Sequence, residues 1–253
     1  MRYALISDIH ANLPALESVL ADARARGAET ILHLGDLVGY APWPDEVVAT
    51  LAEAGIAGVA GNYDSTVAMD HDNCGCAYED ARQAELAHVG YEWTRANIRP
   101  ETKRALGDLP FRLDVSPDGG HKSGPRLVLV HGTPTLNTLY WHADRPDAFC
   151  LQMARFAGLK AGDVIAFGHT HLPWNREVEG IHFVNTGSVG RPKDGDWRAG
   201  YVMLSLGGGK AELEHVRVEY DVERAAVAIF GSELPDEFAE VLRTGGRVRV
   251  AAS

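Results

Sequence analysis

The chain has 253 residues, 45% of them hydrophobic, enough to bury a core without covalent or metal staples. Its 24 Lys plus Arg against 35 Asp plus Glu leave a formal charge of -11, which repels a polyanionic backbone and disfavours nucleic acid as a partner. Three cysteines (Cys74, Cys76, Cys150) make no disulfide framework, the Met1 to Asp8 run is too short for a signal peptide, and no stretch reaches the length of a membrane span, so a cytoplasmic protein is expected.

Taken in chain order, short apolar runs bounded by turn residues predict buried strands at Tyr3 to Ser7, Thr30 to Leu34, Ile56 to Ala60, Arg126 to Val130 and Val164 to Phe167. Between the first three lie helical patterns. Asn12 and Pro14 open one that runs to about Arg26, and Pro44 opens another that ends before Gly55. This alternation implies parallel pairing. Residues 76–107 predict a long helix and a shorter one after Pro100. Pro117 through Pro125 reads as a loop, Glu177 to Val184 as a hairpin, and the runs around Gly207-Gly208-Gly209 as a second hairpin. Two helices are expected after Asp221. With neither repeats nor a linker, the expectation is one domain over residues 1–253: an α/β fold of two packed β-sheets with helices outside.

The residues that carry chemistry fall just past the strand ends. The strands lead into Asp8-Ile9-His10, Gly35-Asp36, Gly61-Asn62-Tyr63-Asp64, His131-Gly132 and Gly168-His169-Thr170-His171. Ligands of α/β sheets bind beyond the carboxyl ends of the strands, so these five segments can converge. In extended backbone the one-residue spacings Asp8/His10 and His169/His171 put both side chains on one side. The adjoining glycines (Gly35, Gly61, Gly132, Gly168) permit close backbone approach. Asp8, His10, Asp36, Asn62, His131, His169 and His171 form an oxygen and imidazole donor set suited to manganese first, with iron, zinc, cobalt or nickel as alternatives, rather than calcium. One ion would take Asp8, His10 and one paired histidine, and a second Asn62, His131 and the other, with Asp36 bridging. Two divalent ions against two carboxylates leave a positive surplus that selects anionic substrates and activates water for in-line attack on phosphorus. Asp64 is the candidate to orient an imidazole by accepting its N–H.

This ordered set of motifs resembles the calcineurin-like metallophosphoesterase family over roughly residues 3–205, and its compact bacterial and archaeal phosphodiesterase branch in particular, because Asn185-x-Gly187-Ser188-Val189-Gly190 is similar to that branch's Asn-Pro-Gly-Ser segment. The resemblance implies a four-layer αββα sandwich of two mixed sheets, His171 on the first metal, His169 on the second, and hydrolysis of a small phosphomonoester or phosphodiester. Two departures stand out. Tyr63 occupies the place of a histidine that protonates the leaving group; it is the candidate acid beside His10, with His33 or His142 as substitutes. Thr186 replaces a proline and is expected to change only the turn.

Plainer readings apply elsewhere. His33 can be a core residue, Tyr40 a pocket wall or loop packing, and Arg191 a phosphate contact or part of a solvated loop with Lys193 and Asp194. Cys74-Gly75-Cys76 reads as structural packing, and His71, His88, His121, His182 and His215 as noncatalytic. The rival functions are a low-activity metal-binding scaffold for protein recognition and a nucleotide or nucleic-acid hydrolase.

Overall fold

The structure is a computed structural model that describes residues 1–77, 80–116, 124–207 and 210–246. One five-stranded sheet contains β1 (Arg2–Ile6), β2 (Thr30–His33) and β3 (Ala57–Gly58) in parallel, continued antiparallel by β9 (Ala199–Gly207) and β10 (Lys210–Val218), in the order β10-β9-β1-β2-β3. The second, ordered β4-β5-β6-β8-β7, pairs β5 (Leu127–Val130), β6 (Val164–Phe167) and β8 (Ile181–Asn185) in parallel, with β4 (Arg112–Val115) and β7 (Trp174–Val178) antiparallel at its edges. Both sheets are mixed, as the family resemblance implied.

Period-two alternation builds the layers. Tyr3 and Leu5 of β1 and Leu127 and Leu129 of β5 point into the apolar layer between the sheets. Ala4 and Ile6 point the other way, under α1 (Leu13–Ala25), α2 (Pro44–Glu53) and the C-terminal helices α7 (Val222–Phe230) and α8 (Glu237–Thr244). Val128 and Val130 face the opposite exterior, where α6 (Asp147–Ala157) covers them with Cys150, Met153 and Ala157. The central strands are therefore apolar on both faces, which is why they read as continuous hydrophobic runs.

Helix α1 starts where Asn12 Oδ1 accepts the Ala15 N–H at 3.3 Å, with proline in its first turn, as expected. The 76–107 segment resolves into α4 (Ala81–Asn97) and α5 (Pro100–Gly107). Two elements differ from expectation. β4 carries polar Arg112 and Asp114, so no apolar run announces it, and a short helix α3 (Asn62–Ala68) begins at Asn62 itself. Most of the expected 117–125 loop, His121 included, and Gly208-Gly209 lie outside the described residues.

Cys74 and Cys76, read from the sequence as structural packing, are joined by a disulfide. Gly75 between them adopts φ +69, and that local turn brings the two sulfurs together without any framework of other cysteines.

Candidate metal centre

The connections after β1, β2, β3, β5 and β6 deliver the seven candidate ligands to one buried place. Asp8, His10 and His171 form one group whose ligand atoms lie within 4.8 Å of one another; Asp36, His131 and His169 form another. Asn62 joins the second through Oδ1, 3.1 Å from His131 Nε2. Asp36 Oδ2 lies 3.8 Å from His10 Nε2 and 3.4 Å from His131 Nε2, so it reaches both groups.

The backbone is bent to make this happen. Asp8, His10, Asp36, His169 and His171 all adopt left-handed φ between 49 and 65. For residues other than glycine this costs on the order of 1–3 kcal/mol each, and such strain concentrates at functional sites. Surrounding hydrogen bonds hold it: Asp8 N–H donates to Gly35 O and His10 N–H to Asp36 O, both at 3.0 Å. Gly61 and Gly168 act by closeness, since a Cβ on Gly61 would overlap the Asp36 carboxylate and one on Gly168 would overlap Ser7 Oγ and Asp8 Oδ2.

Each imidazole is aimed through its other nitrogen. His10 Nδ1–H donates to Val38 O (3.0 Å), His131 Nδ1–H to Leu34 O (2.8 Å) and His171 Nδ1–H to Arg191 O (2.6 Å), because a carbonyl can only accept. Burial, reinforced by the neighbouring His171, holds His10 down to about 3; burial together with Lys193 and Arg191 holds His171 well below its ordinary value. Two neutral rings thus point Nε2 lone pairs at each other across 3.1 Å, with Asp8 Oδ1 3.2 Å from His171 Nε2. Such an arrangement calls for a cation between them. At the second group burial opposes charge on His131, but Asp36 beside it prevails and raises it to about 9. Burial and His131 hold His169 down to about 3, and its Nε2 is buried without a hydrogen-bond partner among the described residues. Imidazole nitrogen, carboxylate and amide oxygen, with no thiolate among them, fit two borderline divalent cations.

Asp64 departs from its expected task. Its carboxylate accepts the backbone N–H of Leu37 (2.8 Å) and Gly61 (2.9 Å) rather than an imidazole, tying the Asp36 turn to the start of α3. Burial and then Asp36 push it up to about 7 against those two bonds. Tyr63 is 1% exposed, its ring 5.5 Å from that of His10 and in contact with Tyr40 and Tyr91. His33 packs against Gly58 inside the fold, while His142 stands two rings out from the centre, stacked on Tyr140, which stacks on His169 at 4.2 Å. Tyr40 packs between His10 and Phe238, and Arg191 is buried on the Tyr40 face instead of lying in a solvated loop.

Sequence reasoning missed the hydroxyls that hold Asp8: Ser7 Oγ donates to its Oδ2 at 2.6 Å and Ser188 Oγ to its carbonyl at 2.7 Å. It also missed Tyr140. Thr186 does more than shape a turn, since its N–H donates to Phe167 O at 2.9 Å, a bond that proline cannot form.

Residues 1–209 match the calcineurin-like phosphoesterase superfamily domain. The chain belongs to this superfamily. Its relatives include the uncharacterized protein MJ0912 of Methanocaldococcus jannaschii, 31% identical over 96% of this chain and 97% of that one. The phosphodiesterase YfcE of Escherichia coli is 28% identical over 81% and 87%. A metallophosphoesterase crystal structure from Sphaerobacter thermophilus superposes with a TM-score of 0.73 at 28% identity, covering 97% of this chain and 99% of the other. As a member of the calcineurin-like superfamily the chain is a phosphoric ester hydrolase of a metal-dependent family, with the family's two-sheet sandwich and two groups able to hold ions. Among the described residues no helix is long and apolar enough to cross a membrane.

Proposed function

We propose that this hydrolase is dinuclear and cleaves a small phosphodiester or phosphomonoester. The observation that carries the reading is the approach of the Nε2 atoms of His10 and His171 to 3.1 Å beside Asp8, each ring with its Nδ1 on a backbone carbonyl, with Asp36 shared by a second group. Asp8, His10 and His171 would hold one ion and Asn62, His131 and His169 the other, with Asp36 between them. Bound there, two divalent cations, manganese for preference, supply Lewis acidity toward phosphoryl oxygen and lower the pKa of water.

The chain's own groups do the rest. Backbone carbonyls fix the imidazole tautomers, and Asp64 fixes the spacing of the Asp36 and Asn62 segments. Tyr63 Oη is assigned the proton that the departing alcohol oxygen takes up, while His10, with Nδ1 on Val38 O and Nε2 toward the ion, would act only through the metal it holds. The YfcE relative, a phosphodiesterase, supports the diester side of the assignment.

The test is hydrolysis of bis(p-nitrophenyl) phosphate by metal-free protein before and after manganese is added, together with metal content per chain. Two ions per chain and manganese-dependent turnover are expected. Turnover that is indifferent to metal, or binding of a single ion, overturns the dinuclear reading.

A further inference from the structure

A cavity of about 530 Å³ lies between α4 and α8, with Arg191 among the residues that line it. The size is that of a small-molecule site. Its walls divide cleanly by chemistry. Leu86, Phe238 and Val241 are buried and apolar, while the cationic side chains on its rim are already neutralised: Arg82 Nη2 meets Glu237 at 2.6 Å, and Arg243 meets Glu240 at 2.7 Å and Glu223 at 2.6 Å.

Arg191 is the exception. It is 7% exposed, yet its guanidinium has no carboxylate partner among the described residues; it lies 4.0 Å over the ring of Tyr40 and 5.7 Å from that of Phe238. Tyr40 in turn meets the His10 ring edge-on at 4.9 Å, and the Arg191 carbonyl accepts the His171 Nδ1–H. One residue therefore lines the cavity with its side chain and touches a metal ligand through its carbonyl. A buried, uncompensated guanidinium is costly unless an anion completes it, and a planar fork suits phosphate oxygens.

We propose that this cavity is the subsite for the organic group of the ester, with Arg191 binding a phosphoryl oxygen where the cavity meets the metal centre. The inference rests on the phosphoesterase reading above and narrows its substrate class. One unpaired cation accommodates one phosphate, and the apolar walls accommodate an aromatic or aliphatic group. Within the cavity a second anionic group meets only Arg side chains that already have carboxylates, which disfavours a second phosphate there.

The experiment is calorimetric titration of the manganese-loaded protein with methylphosphonate and phenylphosphonate, whose C–P bonds resist hydrolysis. Phenylphosphonate binds about tenfold more tightly, the worth of burying a ring's apolar surface. Gln83→Trp, at a half-exposed position on α4, and Val241→Trp, on the facing wall, fill the cavity and bring the two affinities together. Arg191→Met weakens both ligands by about tenfold while leaving their ratio in place. Equal affinities in the unmodified protein, or an unchanged ratio in whichever Trp variant folds, overturn the subsite alone. If the metal-loaded protein binds neither phosphonate and turns over no ester, the phosphoesterase reading fails and the subsite falls with it.

Discussion

The backbone N–H of Tyr63 donates to Asp36 Oδ1 at 2.9 Å, which leaves Oδ2 as the oxygen turned toward His10 and His131. The first turn of α3 thus decides which carboxylate oxygen is offered to cations. In Asp36→Asn the amide oxygen would stay with the Tyr63 N–H, because two donors cannot face each other, and the NH₂ would occupy the bridging direction. A donor there repels a cation. Metal content is expected to fall from two ions per chain toward one, with turnover reduced at least by the roughly 10–100-fold that even outer contacts of a metal site are worth. Retention of both ions, measured by elemental analysis, removes the bridging role.

Tyr63 itself tests the proton assignment. A phenol is a weaker acid than an imidazolium, so its help matters most when the departing alkoxide is basic. Tyr63→Phe is expected to lower kcat for an alkyl leaving group by about 100-fold, the scale of general acid catalysis, and to leave a nitrophenyl leaving group nearly untouched. The ring contacts with His10, Tyr40 and Tyr91 survive the change, which separates the proton from the packing. Equal turnover of the alkyl ester by both proteins strips Tyr63 of the role.

Much of this was legible in the chain because strand runs and turn residues are local signals. The sites where Asp8, Asp36, Asn62, His131, His169 and His171 leave their strands could be read from apolar runs that stop at a glycine or a carboxylate. What could not be read depends on contacts between distant segments. Nothing near Tyr140 signals that it covers His169, and nothing near Arg191 signals that Tyr40 will bury it. Asp64 misled for a related reason. A carboxylate three residues past Gly61 is equally a helix-start signal, and its reach to Leu37 and Gly61 N–H groups won over an imidazole.

His33 sets a pH limit that does not involve the metal ligands. Burial alone holds it down to about 4, it is 2% exposed, and its Nδ1 has no hydrogen-bond partner among the described residues. The unfolded chain takes up a proton near pH 6.5 that the folded chain refuses until about pH 4. Its contribution is therefore fully present above 6.5 and is lost as pH falls through the window to 4, by roughly 3 kcal/mol. His33→Phe keeps a ring against Gly58 and removes the proton. The difference in urea midpoint between pH 7 and pH 4.5 should shrink in this variant; an unchanged difference would mean that other groups govern acid unfolding.

Gly168 offers the sharpest link between packing and metal binding. Its N–H is held by His131 O at 2.8 Å, so the backbone cannot back away, and an added methyl would overlap both Ser7 Oγ and Asp8 Oδ2. Its φ is not in the left-handed region, so Gly168→Ala introduces crowding without backbone strain. Overpacking of this kind costs about 1–3 kcal/mol, and here the atoms that must move include a candidate ligand. Lower thermal stability and loss of an ion from the Asp8 group are expected together. Adding Ser7→Ala removes the nearer hydroxyl and should recover part of the stability, but not the ion, because the Ser7 bond that steadies Asp8 at 2.6 Å is gone as well. A Gly168→Ala protein that binds two ions as tightly as the unmodified chain would show that Asp8 is not held where this geometry requires.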